Sequence, residues 1–147
     1  MKELCLEITN RCPMNCMHCS GNWSIDPPAD LDSQVISKII DDFVRLGGKL
    51  LEVSGGEPLL YDDLCWVLSY AKSHDLEVLL YTSGTGKHSS VSLPEANALK
   101  NTGLDKVIFS LQGATARTHD TITRCPGSFE KALDGIVTVS YTHLTLP

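Results

Sequence analysis

Three cysteines carry the densest chemistry in this 147-residue chain. Cys12-Pro-Met-Asn-Cys16-Met-His-Cys19 has the spacing C-x3-C-x2-C. Three thiolates on one short loop wrap a compact inorganic group, and sulfur ligands favour an iron–sulfur cluster or zinc. Cluster sites ordinarily use four cysteines, whereas this local set stops at three. A 4Fe–4S cube on three thiolates leaves one iron without a protein ligand, free to take a substrate or cofactor. A zinc site wants a fourth ligand. His18 lies inside the motif, but it abuts Cys19, and the two would chelate one ion only under strain. Free or disulfide-bonded thiols are the third reading.

The other cysteines read more plainly. Cys5 lies in an alternating stretch and is expected to be buried in a strand. Cys65 sits beside Trp66 in a helical stretch and is expected to pack. Cys125, in Arg-Cys-Pro-Gly-Ser, is expected to be a free loop thiol, with contact to a further cluster as the alternative. Trp66 and Tyr70 at i, i+4 are expected in the core. His74 and His88 read as surface residues. Asp41-Asp42 and Asp62-Asp63 read as solvated faces or charges at helix N-termini.

The elements that must position these groups alternate. Leu4–Ile8 reads as a first strand, and Thr9 to Trp23 as the loop that holds the three cysteines. Pro27-Pro28 breaks any regular element. A helix capped by Asp32 or Ser33 follows to about Leu46, with Val35, Ile36, Ile39, Ile40, Phe43 and Val44 at helical spacing. Gly47-Gly48 stops it. Leu50–Val53 is a second strand, closed by Ser54-Gly55-Gly56, and 62–73 a second helix. Glu77–Thr82 is a nearly all-apolar third strand, as expected of one covered on both faces, and Ser83-Gly-Thr-Gly86 ends it. Ser92-Leu-Pro-Glu95 reads as a capping box opening a third helix to about Asn101. Val107–Leu111 is a fourth strand, and Ser128 is expected to cap a fourth helix through Ile136. This βαβαβαβα order predicts an α/β fold with a parallel sheet and right-handed crossovers. Ligands of such sheets bind at the carboxyl ends of the strands, where every cysteine-rich or glycine-rich loop named above falls. Four βα units are too few to close a barrel.

Composition narrows the function classes. With 42% hydrophobic and 20% charged residues the chain is an ordinary globular domain. A net charge of −6 and the lack of a Lys/Arg run argue against nucleic acid as main partner. No apolar run approaches the roughly 18–20 residues that span a bilayer, so no membrane partner is expected. Met1-Lys2-Glu3-Leu4 has no apolar signal core, so export is not expected and clustered cysteines read as metal ligands or redox groups.

The chain resembles the radical S-adenosylmethionine (SAM) enzymes. The resemblance rests on Leu6-Glu-Ile-Thr-Asn-Arg-Cys12, the cysteine triplet directly after the first strand, and Ser54-Gly-Gly-Glu-Pro58 directly after the second; it covers roughly residues 4–137. It implies a partial parallel (β/α) barrel of the radical SAM type, truncated after about four βα units. Cys12, Cys16 and Cys19 would hold a 4Fe–4S cluster, and SAM would chelate the fourth iron. His18 takes the position near the adenine. Gly55, Gly56, Glu57 and Pro58 match the motif that meets the SAM ammonium: glycines let backbone approach a ligand, and a carboxylate suits an ammonium group. Glu57 has an alternative role as a turn acid capping the second helix. Ser83, Ser110 and Gln112 sit at strand ends where the family binds SAM, and Arg124 is a carboxylate partner. Gln112 stands where the related pattern often has Asp.

The implied reaction is reductive cleavage of SAM to a 5′-deoxyadenosyl radical that abstracts hydrogen. The stretch from Ile108 to Ile136 resembles the branch that often carries a SPASM or twitch extension, which implies peptide, protein or cofactor maturation. The alternatives are a radical SAM enzyme acting on a small metabolite or RNA base, and a non-catalytic iron–sulfur or zinc module. An electron donor such as flavodoxin or ferredoxin and a reducing cytoplasm are implied. Val139 to Pro147 has no helical apolar period and resembles the translated end of a sequencing adapter. Residues 1–138 are therefore expected to form the incomplete core domain, and 139–147 a non-native tail.

Overall fold

The computed structural model describes residues 2–21, 30–86 and 89–142. His88, the Pro27-Pro28 break and the last five residues of the suspected tail lie outside the described residues. Four strands, β1 (Glu3–Glu7), β2 (Leu50–Ser54), β3 (Glu77–Thr82) and β4 (Lys106–Phe109), form one parallel sheet in the order β1-β2-β3-β4. Between them run α1 (Ser33–Arg45), α2 (Leu64–Lys72) and α3 (Leu93–Asn101); a 3₁₀ turn, Pro58–Leu60, precedes α2. The expected α/β order is present. Among the described residues no helix is long and apolar enough to cross a membrane.

Strand alternation sorts the sheet into two faces. Leu4, Leu6, Leu51, Val53, Val78, Leu80 and Val107 pack with Ile36, Ile40, Leu64, Val67, Leu68, Ala96 and Leu99 of the helices. The opposite face carries Glu3, Cys5, Glu7, Glu52 and Tyr81, and the Tyr81 hydroxyl donates to Glu52 Oε1 at 3.0 Å. Cys5 is therefore exposed, not buried as its strand position suggested. On α2, Cys65 is exposed too. Trp66 is 43% exposed and stacks on Tyr70 with ring centroids 5.1 Å apart; Tyr70 is half-buried and packs against the core, whereas Trp66 is a surface residue. Asp41 is no free solvated charge: it accepts the Tyr70 hydroxyl at 2.8 Å and faces His74 at 3.3 Å.

Helix ends follow local chemistry. Asp32 caps α1 by accepting Gln34 N–H, and Ser92 with Glu95 forms the capping box of α3. The segment after β4 departs most from expectation. A helix, α4 (Ala116–Thr123), precedes the expected one, which is α5 (Ser128–Ser140). Ser128 does not cap α5; Gly127 does, in the left-handed region. Asp120 of α4 supplies the acceptor instead, taking Gly127 N–H at 2.7 Å, Phe129 N–H at 2.9 Å and the Ser128 hydroxyl at 3.0 Å. Those donors hold the Asp120 carboxyl below its ordinary pKa. α5 runs past Ile136 because Ala132, Gly135 and Val139 continue one buried stripe, so the boundary expected at 138 falls inside a helix.

Candidate functional site

The site is assembled at the carboxyl ends of the strands. The turn after β2 is laced to the start of the cysteine loop by backbone: Gly56 N–H donates to Thr9 O at 2.8 Å and Glu57 N–H to Arg11 O at 2.7 Å. This approach requires both glycines. A Cβ on Gly55 (φ +147°) would stand 2.5 Å from Thr9 O, and one on Gly56 would collide with Arg11 O. The glycines are therefore fixed by backbone meeting backbone, and not by closeness to a ligand alone. Both still line the cavity described below.

Glu57 takes the alternative role of a turn acid, capping the 3₁₀ turn that precedes α2. It is 0% exposed. Oε1 accepts Leu59 N–H at 3.1 Å and the Thr82 hydroxyl at 2.6 Å; Oε2 accepts Ser83 N–H at 2.8 Å and the Ser83 hydroxyl. Four protein donors meet this carboxylate, which is absent from the cavity lining. It caps the 3₁₀ turn and rivets the β2 turn to the end of β3. Burial pushes its pKa up, against the pull of those hydrogen bonds. Pro58 is buried at the first position of the same turn and does not line the cavity either.

The cysteine loop is held from its other side by α4. Asn15 N–H donates to Thr123 O at 3.2 Å and Met17 N–H to Ile122 O at 2.8 Å. Met14 is the buried anchor of the loop. Cys12 and Cys16 are half-buried and Cys19 is exposed. Burial pushes the Cys12 thiol up to about 11, and repulsion from Glu57, Cys16 and Cys19 adds to it. Burial and repulsion from Cys19 and Cys125 raise Cys16. The three thiols therefore lie within electrostatic reach of one another, and metal binding would release their protons. Cys125 joins them as a neighbour of Cys16, a loop thiol as expected but not a remote one.

Cys12, Cys16, His18, Cys19, Gly55, Gly56, Ser83, Ser110 and Gln112 all line one cavity of about 290 Å³. Arg124 does not: it is exposed at the end of α4, in the left-handed conformation that turns the chain away. Sequence reasoning missed Met14, Ser20, Ser54, Tyr81, Thr82 and Thr123 on the wall. Their signal is position, since Ser54, Tyr81 and Thr82 end strands beside motif residues.

A cluster fits this donor set. Among the described residues no three His, Cys, Asp or Glu side chains converge on a single ion position. Three thiols lining one cavity are the donor type that an iron–sulfur cluster takes. The rest of the wall combines the glycine turn and small hydroxyls with Met14, His18, Tyr81 and Gln112, a mixed apolar and polar lining suited to a small organic ligand.

Residues 6–140 match the Radical SAM superfamily. The chain is 36% identical over 132 residues to an AdoMet-dependent heme synthase of Methanosarcina barkeri, covering 88% of this chain and 36% of that protein. It is 34% identical to a PqqA peptide cyclase of Methylocella silvestris, covering 87% of this chain and 34% of the relative. Among solved structures, anSMEcpe with bound AdoMet superposes with a TM-score of 0.74 at 14% identity, over 98% of this chain and 41% of that one. The chain thus spans about a third of the length of the curated relatives it matches.

Proposed function

Since this chain belongs to the Radical SAM superfamily, whose cofactors are a 4Fe–4S cluster and SAM, we propose that its cavity binds both. Cys12, Cys16 and Cys19 hold three irons. The Gly55-Gly56 backbone, Ser83, Ser110 and Gln112 meet the polar atoms of SAM, and His18 flanks its adenine. When bound, the reduced cluster and SAM supply a 5′-deoxyadenosyl radical that abstracts hydrogen from an unreactive C–H bond. The chain's own part is positional. The Glu57 rivet fixes Ser83 against the glycine turn, and the backbone bonds from α4 fix the loop that carries the thiols. Half-burial of Cys12 and Cys16 leaves them less exposed to solvent than Cys19, and burial tunes cluster potential.

For the whole protein we propose maturation of a peptide, protein or cofactor, with flavodoxin or ferredoxin as electron donor in a reducing cytoplasm. Support comes from the relatives named as a peptide cyclase and a heme synthase. The observation that carries the reading is the sharing of one cavity by three thiols and the glycine turn. A metal-only module has no use for that second wall. Anaerobic reconstitution with iron and sulfide is expected to give about four irons per chain and a 4Fe–4S spectrum. SAM is expected to perturb that spectrum. A reconstituted chain without a 4Fe–4S spectrum, or one blind to SAM, refutes the proposal. In the complete gene, the absence of a downstream cysteine cluster would rule out the SPASM-type branch.

A further inference from the structure

We propose that His119 is a positioning residue for the cofactor cavity, holding the Ser110–Gln112 wall in place through its Nδ1. The inference rests on reading that cavity as the SAM site. His119 lies in α4 and is 0% exposed. Its Nδ1 accepts the Gln112 N–H at 3.1 Å, which puts the ring proton on Nε2. Nε2 is buried without a hydrogen-bond partner among the described residues. An orphaned buried N–H is costly, and native proteins seldom keep one. A phenyl ring in the same place would avoid it, so the imidazole is explained by what its other nitrogen does.

That nitrogen acts where the sheet no longer controls the chain. Ser110 N–H still pairs with Thr82 O at 2.9 Å, the last bond of the β3–β4 ladder. Beyond it the chain leaves the sheet yet still forms cavity wall at Gln112. Gly113 then passes so close to α4 that a Cβ would stand 2.9 Å from His119 N. The ring is packed from α5 by Phe129, with centroids 5.6 Å apart and planes tilted by 59°. A buried, fixed acceptor thus sets the path of Gln112, and His119 acts through this backbone without lining the cavity itself.

Two substitutions separate positioning from packing. His119→Phe keeps a ring and removes both the acceptor and the orphaned donor. His119→Asn keeps an acceptor near the Nδ1 position and loses ring volume. The Phe variant is expected to melt at or near the parent temperature while binding SAM on the order of fivefold more weakly, the effect of one lost ordering hydrogen bond. The Asn variant is expected to melt lower yet keep its SAM affinity within about twofold. Affinity that simply follows stability in both variants, or does not move in either, overturns the proposal. Hydrogen exchange at the Gln112 amide of the unliganded chain gives a readout without cofactor. Protection in the parent and the Asn variant, and its loss in the Phe variant, support the restraint; equal exchange in parent and Phe variant overturns it. A parent chain that fails to bind SAM defeats the cavity reading instead, and the exchange result still decides whether His119 restrains Gln112.

Discussion

The cysteine loop and the Gly55–Pro58 turn border the same cavity but are built in opposite ways. The loop presents its functional atoms: Cys19 is exposed, Cys12 and Cys16 are half-buried, and the loop is held through backbone bonds to α4 and the buried Met14. The turn hides its one charged side chain completely and presents backbone. Glu57 is surrounded by four donors from its own turn, the end of β3 and Ser83 just beyond it, and the glycines are locked against Thr9 and Arg11. Two motifs of similar prominence in the sequence thus do different work. One offers ligands, and the other sets the distance between neighbouring strand ends.

This contrast makes substitutions in the two regions fail differently. The largest effect is expected from Cys12→Ser, which should abolish the cluster, read as iron content and visible absorbance after reconstitution. The melting temperature of the metal-free chain should barely change, because the serine hydroxyl can take over the one backbone contact, with Met14, that the thiol makes. Unfolding of the metal-free Cys12→Ser chain would erase the distinction between the regions. Gly56→Ala should behave the other way. The added methyl meets Arg11 O, so we expect about 3 kcal/mol of destabilisation in denaturant titrations, with cluster loading impaired only as a consequence.

Glu57→Gln is expected to be milder, about 2 kcal/mol, because the amide turns one acceptor into a donor facing donors. Its pH dependence sharpens the test. Burial holds the folded pKa of Glu57 above its unfolded value. The stability linked to its proton is therefore complete below about pH 4.3 and is lost as pH rises through the folded value. The gap between parent and Gln variant should narrow as pH is raised. A gap that widens would mean that the carboxylate is charged and preferred so by its four donors.

Much of this architecture can be read from residue order. β3 announces itself as an apolar run, α3 by its capping box, and the thiol loop by its spacing. What escaped has physical causes. Ala-Arg-Thr-His-Asp-Thr-Ile-Thr has too few apolar positions to show a helical stripe; the trace it leaves is the Thr115 cap onto Thr118 N–H. Whether Glu57 meets a ligand or the protein depends on Thr82 and Ser83, which no local pattern links to it. Cys5 alternates correctly, but alternation does not say which face helices will cover. The end expected for α5 at Ile136 comes from setting 139–147 apart as a tail, whereas Val139 continues the buried stripe of the helix.

The lacing of residues 15 and 17 to residues 122 and 123 sets an order of events during synthesis. The thiols leave the ribosome well before the carbonyls that hold their loop, which emerge over a hundred residues later. Until then the loop has only its β2-side support, and its sulfurs are open to stray metals and oxidants. The loop that carries the thiols thus gains its second support only once α4 has been made.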